Sequence, residues 1–277
     1  MDAVQIVENE LMKLQQVSLE LKQKSLELIF NAGSGHPGGS LSSADIVAAL
    51  YFGIMKYDPK TPSDPNRDRF ILSKGHCTAL LYSTLARAGY FDAACLTQYR
   101  KIDSPLFLSG HPNPKTPGVE IATGSLGQGL SVGHGMALAS KLDGLDYKVF
   151  VLMGDGELQE GQVWEAAMTA AHFKTNNLVA IIDFNKVAQD NFTNDLKNLE
   201  PLDERWRSFG WDTLRIDGHN MEDIIKSLRK PLHPEKPRVI IADTIKGKGV
   251  SFMENKTSWH GVAPSQEDYH KALKELK

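Results

Sequence analysis

Cysteine is almost absent: Cys77 and Cys95 are the only two in 277 residues, and no signal-like stretch opens the chain. A disulfide scaffold therefore fits poorly, and a reducing, cytoplasmic setting is expected. No run of 18 apolar residues occurs, which argues against a membrane-spanning helix. Basic charge is not concentrated anywhere. With 31 Lys and Arg against 34 Asp and Glu, the formal net charge is −3, so neither nucleic acid nor an anionic membrane is expected as a partner. A P-loop sequence is missing, and the glycine cluster beginning at Gly124 follows no clear apolar strand, so both common nucleotide-binding patterns fail. No whole-domain repeat is visible. What remains, with 41% apolar residues and 23 glycines, is a chain able to bury one substantial core, read as a single domain over residues 1–277.

Residues 148–185 organise the rest. Lys148-Val149-Phe150-Val151-Leu152-Met153 is an apolar run, broken by Gly154-Asp155-Gly156-Glu157. A helix-like span follows to Phe173, then a second run, Leu178-Val179-Ala180-Ile181-Ile182-Asp183-Phe184-Asn185. Two strands apolar on both faces, with a helix between them, make a β-α-β unit inside a parallel sheet. Ligands bind at the carboxyl ends of such strands. Asp155 ends the first strand and Asn185 the second, so a carboxylate and an amide oxygen reach one edge. That is a hard oxygen site suited to Mg²⁺ or Ca²⁺ carried by a phosphate ligand. Taken alone, Gly154-Asp155-Gly156 reads equally well as a plain turn.

Ahead of this unit, the helical period of Leu11, Leu14, Val17, Leu21 and Leu28 predicts a helix over residues 6–30, stopped at Asn31-Ala32-Gly33. Residues 33–39 are too rich in glycine for regular structure and are expected to hold His36 in a tight loop. Ser42 and Asp45 form a capping box for a helix to about Tyr51. Residues 58–69 read as a surface loop, and Phe70-Ile71-Leu72 as a strand ending at Ser73-Lys74-Gly75-His76. Helices are expected over 77–88 and 93–100. His111 repeats the association of histidine with glycine and proline seen at His36, and three glycine-associated histidines, His36, His76 and His111, suggest a shared polar pocket.

From Gly124 a glycine-crowded segment opens a helix to about Leu142. Gly127, Gly129, Gly133 and Gly135 each cost about 1 kcal/mol relative to alanine in a helix, which points to close approach of a backbone or ligand. Such a helix start suits an anion; tight packing at a subunit interface is the other reading. Glu160 is placed in the first turn of the helix after Asp155, where its charge favours the helix start. Residues 186–199 read as an ordered loop near the site, 202–209 as a helix, 211–216 as a strand, 220–229 as a helix capped by Asn220, and 238–242 as the last strand. Loops at 246–249 and 258–261 follow it. His219 reads as a structural residue in a turn.

Asp155, Asn185 and a main-chain carbonyl near Asn185 leave Mg²⁺ room for two phosphoryl oxygens and a water, which points to a diphosphate cofactor. Gly154-Asp155-Gly156 followed by Asn185 resembles the thiamine-diphosphate motif. Gly-His-Pro-Gly at 35–38, Leu-Ser-Lys-Gly-His at 72–76, Ser-Gly-His-Pro at 109–112, Gly-Ser-Leu-Gly-Gln-Gly at 124–129, Gly-Asp-Gly-Glu-Leu-Gln-Glu-Gly at 154–161 and Trp-His-Gly at 259–261 occur in one order. Together they resemble the amino-terminal domain of transketolase, over about 14–263. The resemblance implies a three-layer α/β thiamine-diphosphate-binding fold, its mainly parallel central sheet flanked by helices. It implies Asp155, Asn185 and the Val187 carbonyl as metal ligands, with His76, Gly124, Ser125, Leu126, Gly156, Asn185 and His260 at the cofactor. Glu160 resembles a residue linking two cofactor sites across a subunit interface. His36, His76, His111 and His260 resemble the imidazoles that handle protons around the reacting carbon and the sugar hydroxyls.

The activity so implied moves a two-carbon glycolaldehyde unit from a ketose phosphate such as xylulose 5-phosphate to an aldose phosphate such as ribose 5-phosphate. The usual transketolase is more than twice this long. Its remainder carries the glutamate that activates the aminopyrimidine, the pyrimidine pocket and most substrate-phosphate arginines. A split enzyme is therefore expected, completed by a separately encoded carboxy-terminal partner subunit in an α₂β₂ assembly. Two rival readings are a split ketolase for another sugar phosphate, such as that of apulose, and a non-catalytic scaffold of the same fold.

Overall fold

In the computed structural model, which describes residues 8–277, the first apolar stripe folds as α1 (Glu8–Ala32). Ile6, at the expected start, lies outside the described residues. The chain leaves α1 through Gly33, whose φ of +60° costs glycine little. α2 (Pro37–Ala49) then begins inside the segment expected to be irregular. Pro37 takes the first helical position, where a missing N–H goes unmissed. Gly38 and Gly39 sit in the first turn because a Cβ would come within 2.9 Å of the Lys246 side chain or the Cys77 sulfur. His36 is thus the residue that precedes a helix. The capping box expected of Ser42 and Asp45 does not form. Both are buried within α2, where Ser42 donates to Asp183 and Asp45 accepts from Ser18 and Lys22. Charge-assisted partners brought in by the fold outweigh the local option.

β1 (Arg69–Leu72) and α3 (Thr78–Ala88) follow as expected, but the helix read over 93–100 is a short 3₁₀ segment, Ala93–Gln98. α4 (Gln128–Leu142) begins beyond Gly124, which belongs to the loop before it. β2 (Val149–Gly154) leads to a 3₁₀ turn, Gly156–Gln159, and only then to α5 (Gly161–His172). Glu160 therefore stands at the N-cap position of α5, without a side-chain capping bond, rather than lying in its first turn. β3 (Leu178–Phe184), α6 (Thr193–Leu196), α7 (Leu202–Ser208), β4 (Asp212–Asp217), α8 (Met221–Arg229), β5 (Arg238–Asp243) and α9 (Gln266–Glu275) complete the order. Asn220 caps α8 as read, accepting from the N–H groups of Glu222 and Asp223. No helix among the described residues is long and apolar enough to cross a membrane.

The five strands are all parallel, in the order β1-β2-β3-β5-β4. Successive side chains point to opposite faces. Phe150, Leu152, Val179, Ile181 and Ile240 pack against α1, α2, α3 and α8; Val149, Val151, Ala180, Ile182 and Ile241 pack against α4, α5 and α7. That gives the three layers expected, helix, sheet and helix, with a core on each face of the sheet.

The α4 glycines divide by what they touch. A Cβ on Gly129 would lie 2.5 Å from the Ser73 Cβ, and one on Gly133 would lie 2.5 Å from Cγ2 of Val151, whereas Gly135 faces open space. The first two let α4 lie directly on the end of β1 and on β2. Gly129→Ala is expected to lower stability by about 1–3 kcal/mol through overpacking. Gly135→Ala is expected to raise it by up to about 1 kcal/mol, since glycine in an exposed helix interior is costly. Urea-unfolding midpoints of the two variants check both.

Candidate functional site

Because every strand runs the same way, the loops after β1, β2, β3 and β5 open on one edge of the sheet, carrying Lys74, Asp155, Asn185 and Lys246 respectively. A cavity of about 350 Å³ lies among them, with His36, His76, Asn185, Val187, Lys246 and His260 in its walls. Gly124, Leu126 and Gly156 also face it.

Beneath the cavity sits Asp183, fully buried in β3. Its carboxylate accepts from Ser42 Oγ at 2.6 Å, from Asn185 Nδ2 at 3.0 Å, from the Thr244 hydroxyl and from the Lys74 ammonium. Burial opposes both charges of the Lys74–Asp183 pair. Their mutual attraction and hydrogen bonding prevail, holding the carboxyl below its ordinary value and the amine above it. The bond from Asn185 Nδ2 also turns the amide so that Oδ1 faces away from Asp183, accepting from Val187 N–H at 3.1 Å.

Asp155 contrasts with Asp183. It is 2% exposed, and its oxygens accept from the backbone N–H groups of Gly156, at 2.7 Å, and Lys186. These do not offset burial and the neighbouring Asp183 charge, which push its carboxyl up to about 6. A divalent cation would relieve that cost. Asn185 Oδ1 and the Val187 carbonyl supply further hard oxygens. The carbonyl accepts from Lys246 Nζ at 2.6 Å and retains a second lone pair. The donor set fits Mg²⁺ or Ca²⁺.

His36, His76 and His260 form a triangle, with ring centroids 5.1, 5.3 and 5.4 Å apart. Lys246 Nζ lies 2.7 Å from His260 Nδ1; an ammonium only donates, so the ring proton of neutral His260 is on Nε2. His36 Nδ1 is buried without a hydrogen-bond partner. Burial and then the Arg100 charge push His36 down to about 4; burial and then Lys246 push His260 down to about 3. Burial and Lys74 hold His76 well below its usual value. All three rings are therefore neutral at neutral pH, able to accept or donate a hydrogen bond at a substrate hydroxyl, and an anion placed beside them would raise their basicity.

His111 is not part of this triangle. It is exposed, and its ring lies over Gly124, where a Cβ would come 2.4 Å from its Cδ2. Ser125 is exposed and outside the lining, as is Glu160, whose side chain packs on Gly127. Four charged groups escaped sequence reasoning. Asp183 left a signal, an acid inside an otherwise apolar strand. Lys74 and Glu157 lie within motifs whose neighbours drew the reading, and buried Glu157 accepts from Ser73 Oγ, Gly127 N–H and Gly154 N–H. Lys246 left only its place in a loop after the last strand.

Residues 15–276 match the family described as "Transketolase, thiamine diphosphate binding domain". The chain is 45% identical over 256 residues to one subunit of the apulose-4-phosphate transketolase of Phocaeicola vulgatus, covering 92% of this chain and 90% of that protein. It is 42% identical over 273 residues to a 6-deoxy-6-sulfo-D-fructose transketolase subunit of a Clostridium species, covering 96% and 98%. Identity to the transketolase of Homo sapiens is 42% over 255 residues, where 92% of this chain spans 40% of that protein. The solved transketolase of Campylobacter jejuni superposes with a TM-score of 0.87 at 35% identity, over 98% of this chain and 43% of that one.

Asp183→Asn is expected to cost about 3–5 kcal/mol at neutral pH, because Lys74 becomes an unpaired buried charge. A carboxyl held below its unfolded value stabilises the fold fully above that unfolded value, and the contribution is lost as pH falls through the depressed one. The gap between parent and variant should therefore narrow as pH drops below about 4. Urea unfolding at stepped pH reads it.

Proposed function

Since the chain belongs to the transketolase family, we propose that it is the diphosphate- and metal-binding subunit of a two-subunit enzyme moving a glycolaldehyde unit between sugar phosphates. Asp155 carries this conclusion: a buried acid at a strand end, its carboxyl pushed up by burial and by Asp183, on the same sheet edge as Asn185, Val187 and a cavity walled by Lys246 and neutral imidazoles. Asp155, Asn185 and the Val187 carbonyl would hold Mg²⁺, with Ca²⁺ as an alternative. His76, Gly124, Ser125, Leu126, Gly156 and His260 would contact thiamine diphosphate, and Lys246 joins them. When bound, the cofactor supplies an electron sink for cleaving a bond next to a carbonyl.

Around that group, His36, His76 and His260 would orient the sugar and pass protons at its hydroxyls, with His111 acting from beside Gly124. Glu160, exposed at the start of α5, would link cofactor sites across a subunit contact. The chain acts as one diphosphate-binding domain, working in the cytoplasm. Relatives matching over 90% or more of their length are named as subunits, which supports a separate partner; that partner would be the carboxy-terminal half, in an α₂β₂ assembly. Xylulose 5-phosphate and ribose 5-phosphate are the proposed donor and acceptor. A second reading, a modified ketose as donor, is favoured by the names of those same relatives.

Ketol transfer from xylulose 5-phosphate to ribose 5-phosphate, with Mg²⁺ and thiamine diphosphate, should appear only when the chain is mixed with the product of the neighbouring gene. Full activity of the chain alone would sink the two-subunit reading, and faster turnover of apulose 4-phosphate would select the second donor. Asp155→Ala should weaken cofactor retention in that complex at least about tenfold, the scale on which metal sites respond to lost supporting contacts, with little change in folding. Calorimetric titration checks this, and unchanged affinity would remove Asp155 from the metal site.

A further inference from the structure

His219 and Asp45 lie outside the cavity, yet they hold the segment that aims Lys246 into it. β4 ends at Asp217, and the turn that follows lies against the loop after β5. Gly218 N–H donates to the Asp243 carbonyl at 2.8 Å, and a Cβ at Gly218 would come 2.4 Å from Cγ2 of Thr244. This contact carries His219 inward. Its Nε2 accepts from the Ile245 N–H at 2.8 Å, and its Nδ1 lies 2.8 Å from Asp45 Oδ2. A backbone N–H can only donate, so Nε2 is unprotonated and Nδ1 carries the proton towards Asp45. Asp45, in turn, is held from α1 by Ser18 Oγ and by Lys22 Nζ at 2.9 Å.

Ile245 directly precedes Lys246. The path of this loop is held by the Thr244 hydroxyl to Asp183, the Ile245 N–H to His219, the Gly247 N–H to the Gly38 carbonyl at 3.0 Å, and backbone bonds from the Thr244 N–H to the Phe184 carbonyl and from the Asn255 N–H to the Lys246 carbonyl. From there the Lys246 side chain, 2% exposed, reaches the Val187 and Ala188 carbonyls at 2.6 and 3.2 Å as well as His260. We propose that Asp45 and His219 are a positioning pair for Lys246: the carboxylate fixes the imidazole tautomer, and the imidazole helps fix the backbone that places the ammonium in the cavity wall, where it would face an anion. Naming that anion as the diphosphate of Mg²⁺-bound thiamine diphosphate rests on the function proposed above.

Two substitutions separate positioning from packing. His219→Gln can place an acceptor oxygen where Nε2 stood. His219→Asn can still donate to Asp45 but leaves the Ile245 N–H unpaired. In the full chain with its partner subunit, His219→Asn should weaken Mg²⁺–thiamine diphosphate binding at least about tenfold, as loss of supporting contacts does at other such sites. Hydrogen exchange at the Ile245 amide and acylation of Lys246, followed by mass spectrometry, should both accelerate. His219→Gln should keep the parent values in all three measurements, with unfolding midpoints of the two variants alike. Equal losses in both variants, or none in His219→Asn, would overturn the pairing. If the parent binds no thiamine diphosphate, the proposed function fails, and the exchange and acylation results still decide the positioning role.

Discussion

A charge taken out of water must be repaid in hydrogen bonds, and Asp183 imposes that condition on the whole carboxyl edge of the sheet. Its four donors come from four places: α2 through Ser42, the end of β1 through Lys74, the end of β5 through Thr244, and its own strand end through Asn185. Ser42 is 141 residues away in the chain and Lys74 is 109. No local preference could bring them together. The same carboxylate that joins these elements also sets the direction of the Asn185 amide, so part of the proposed metal site would follow from the support beneath it.

Above that satisfied pair lies a set of groups displaced in opposite directions. Asp155 is pushed up, while His36, His76 and His260 are pushed down, and burial leads in all four. A cation beside Asp155 and an anion beside the imidazoles would each reverse the displacement nearest to it. A metal ion carrying a diphosphate, the proposed ligand, would bring both signs at once, into a cavity several of whose donors are already held in place. Preorganisation of this kind spares the site the cost of ordering its side chains when the ligand arrives.

Close approach does the rest. Gly38 and Gly39 let α2 start against Lys246 and Cys77, and Gly129 lets α4 lie on Ser73. Buried Glu157 then ties the loops after β1 and β2 to the start of α4. Glycine in these segments therefore lets the first turns of α2 and α4 approach the side chains around the cavity closely.

By itself, the sequence determined the β-α-β unit inside a parallel sheet and the arrival of Asp155 and Asn185 at one edge, while the helix-sheet-helix layering was implied by the family resemblance. Apolar runs and their periodicity are local and need no knowledge of partners. Tertiary structure alone decided which charges meet. Asp45 is placed for a capping box, yet it binds Ser18 and Lys22 on α1 and His219 after β4. Lys246 has no local signature and reaches carbonyls 59 and 58 residues earlier. His111 shares the glycine and proline neighbours of His36 but lies exposed over Gly124, while His260 joins the triangle from the far end of the chain. The physical reason is the same in each case: a buried polar group is placed by the partners that satisfy it, and those partners are set by how the layers pack, not by spacing along the chain.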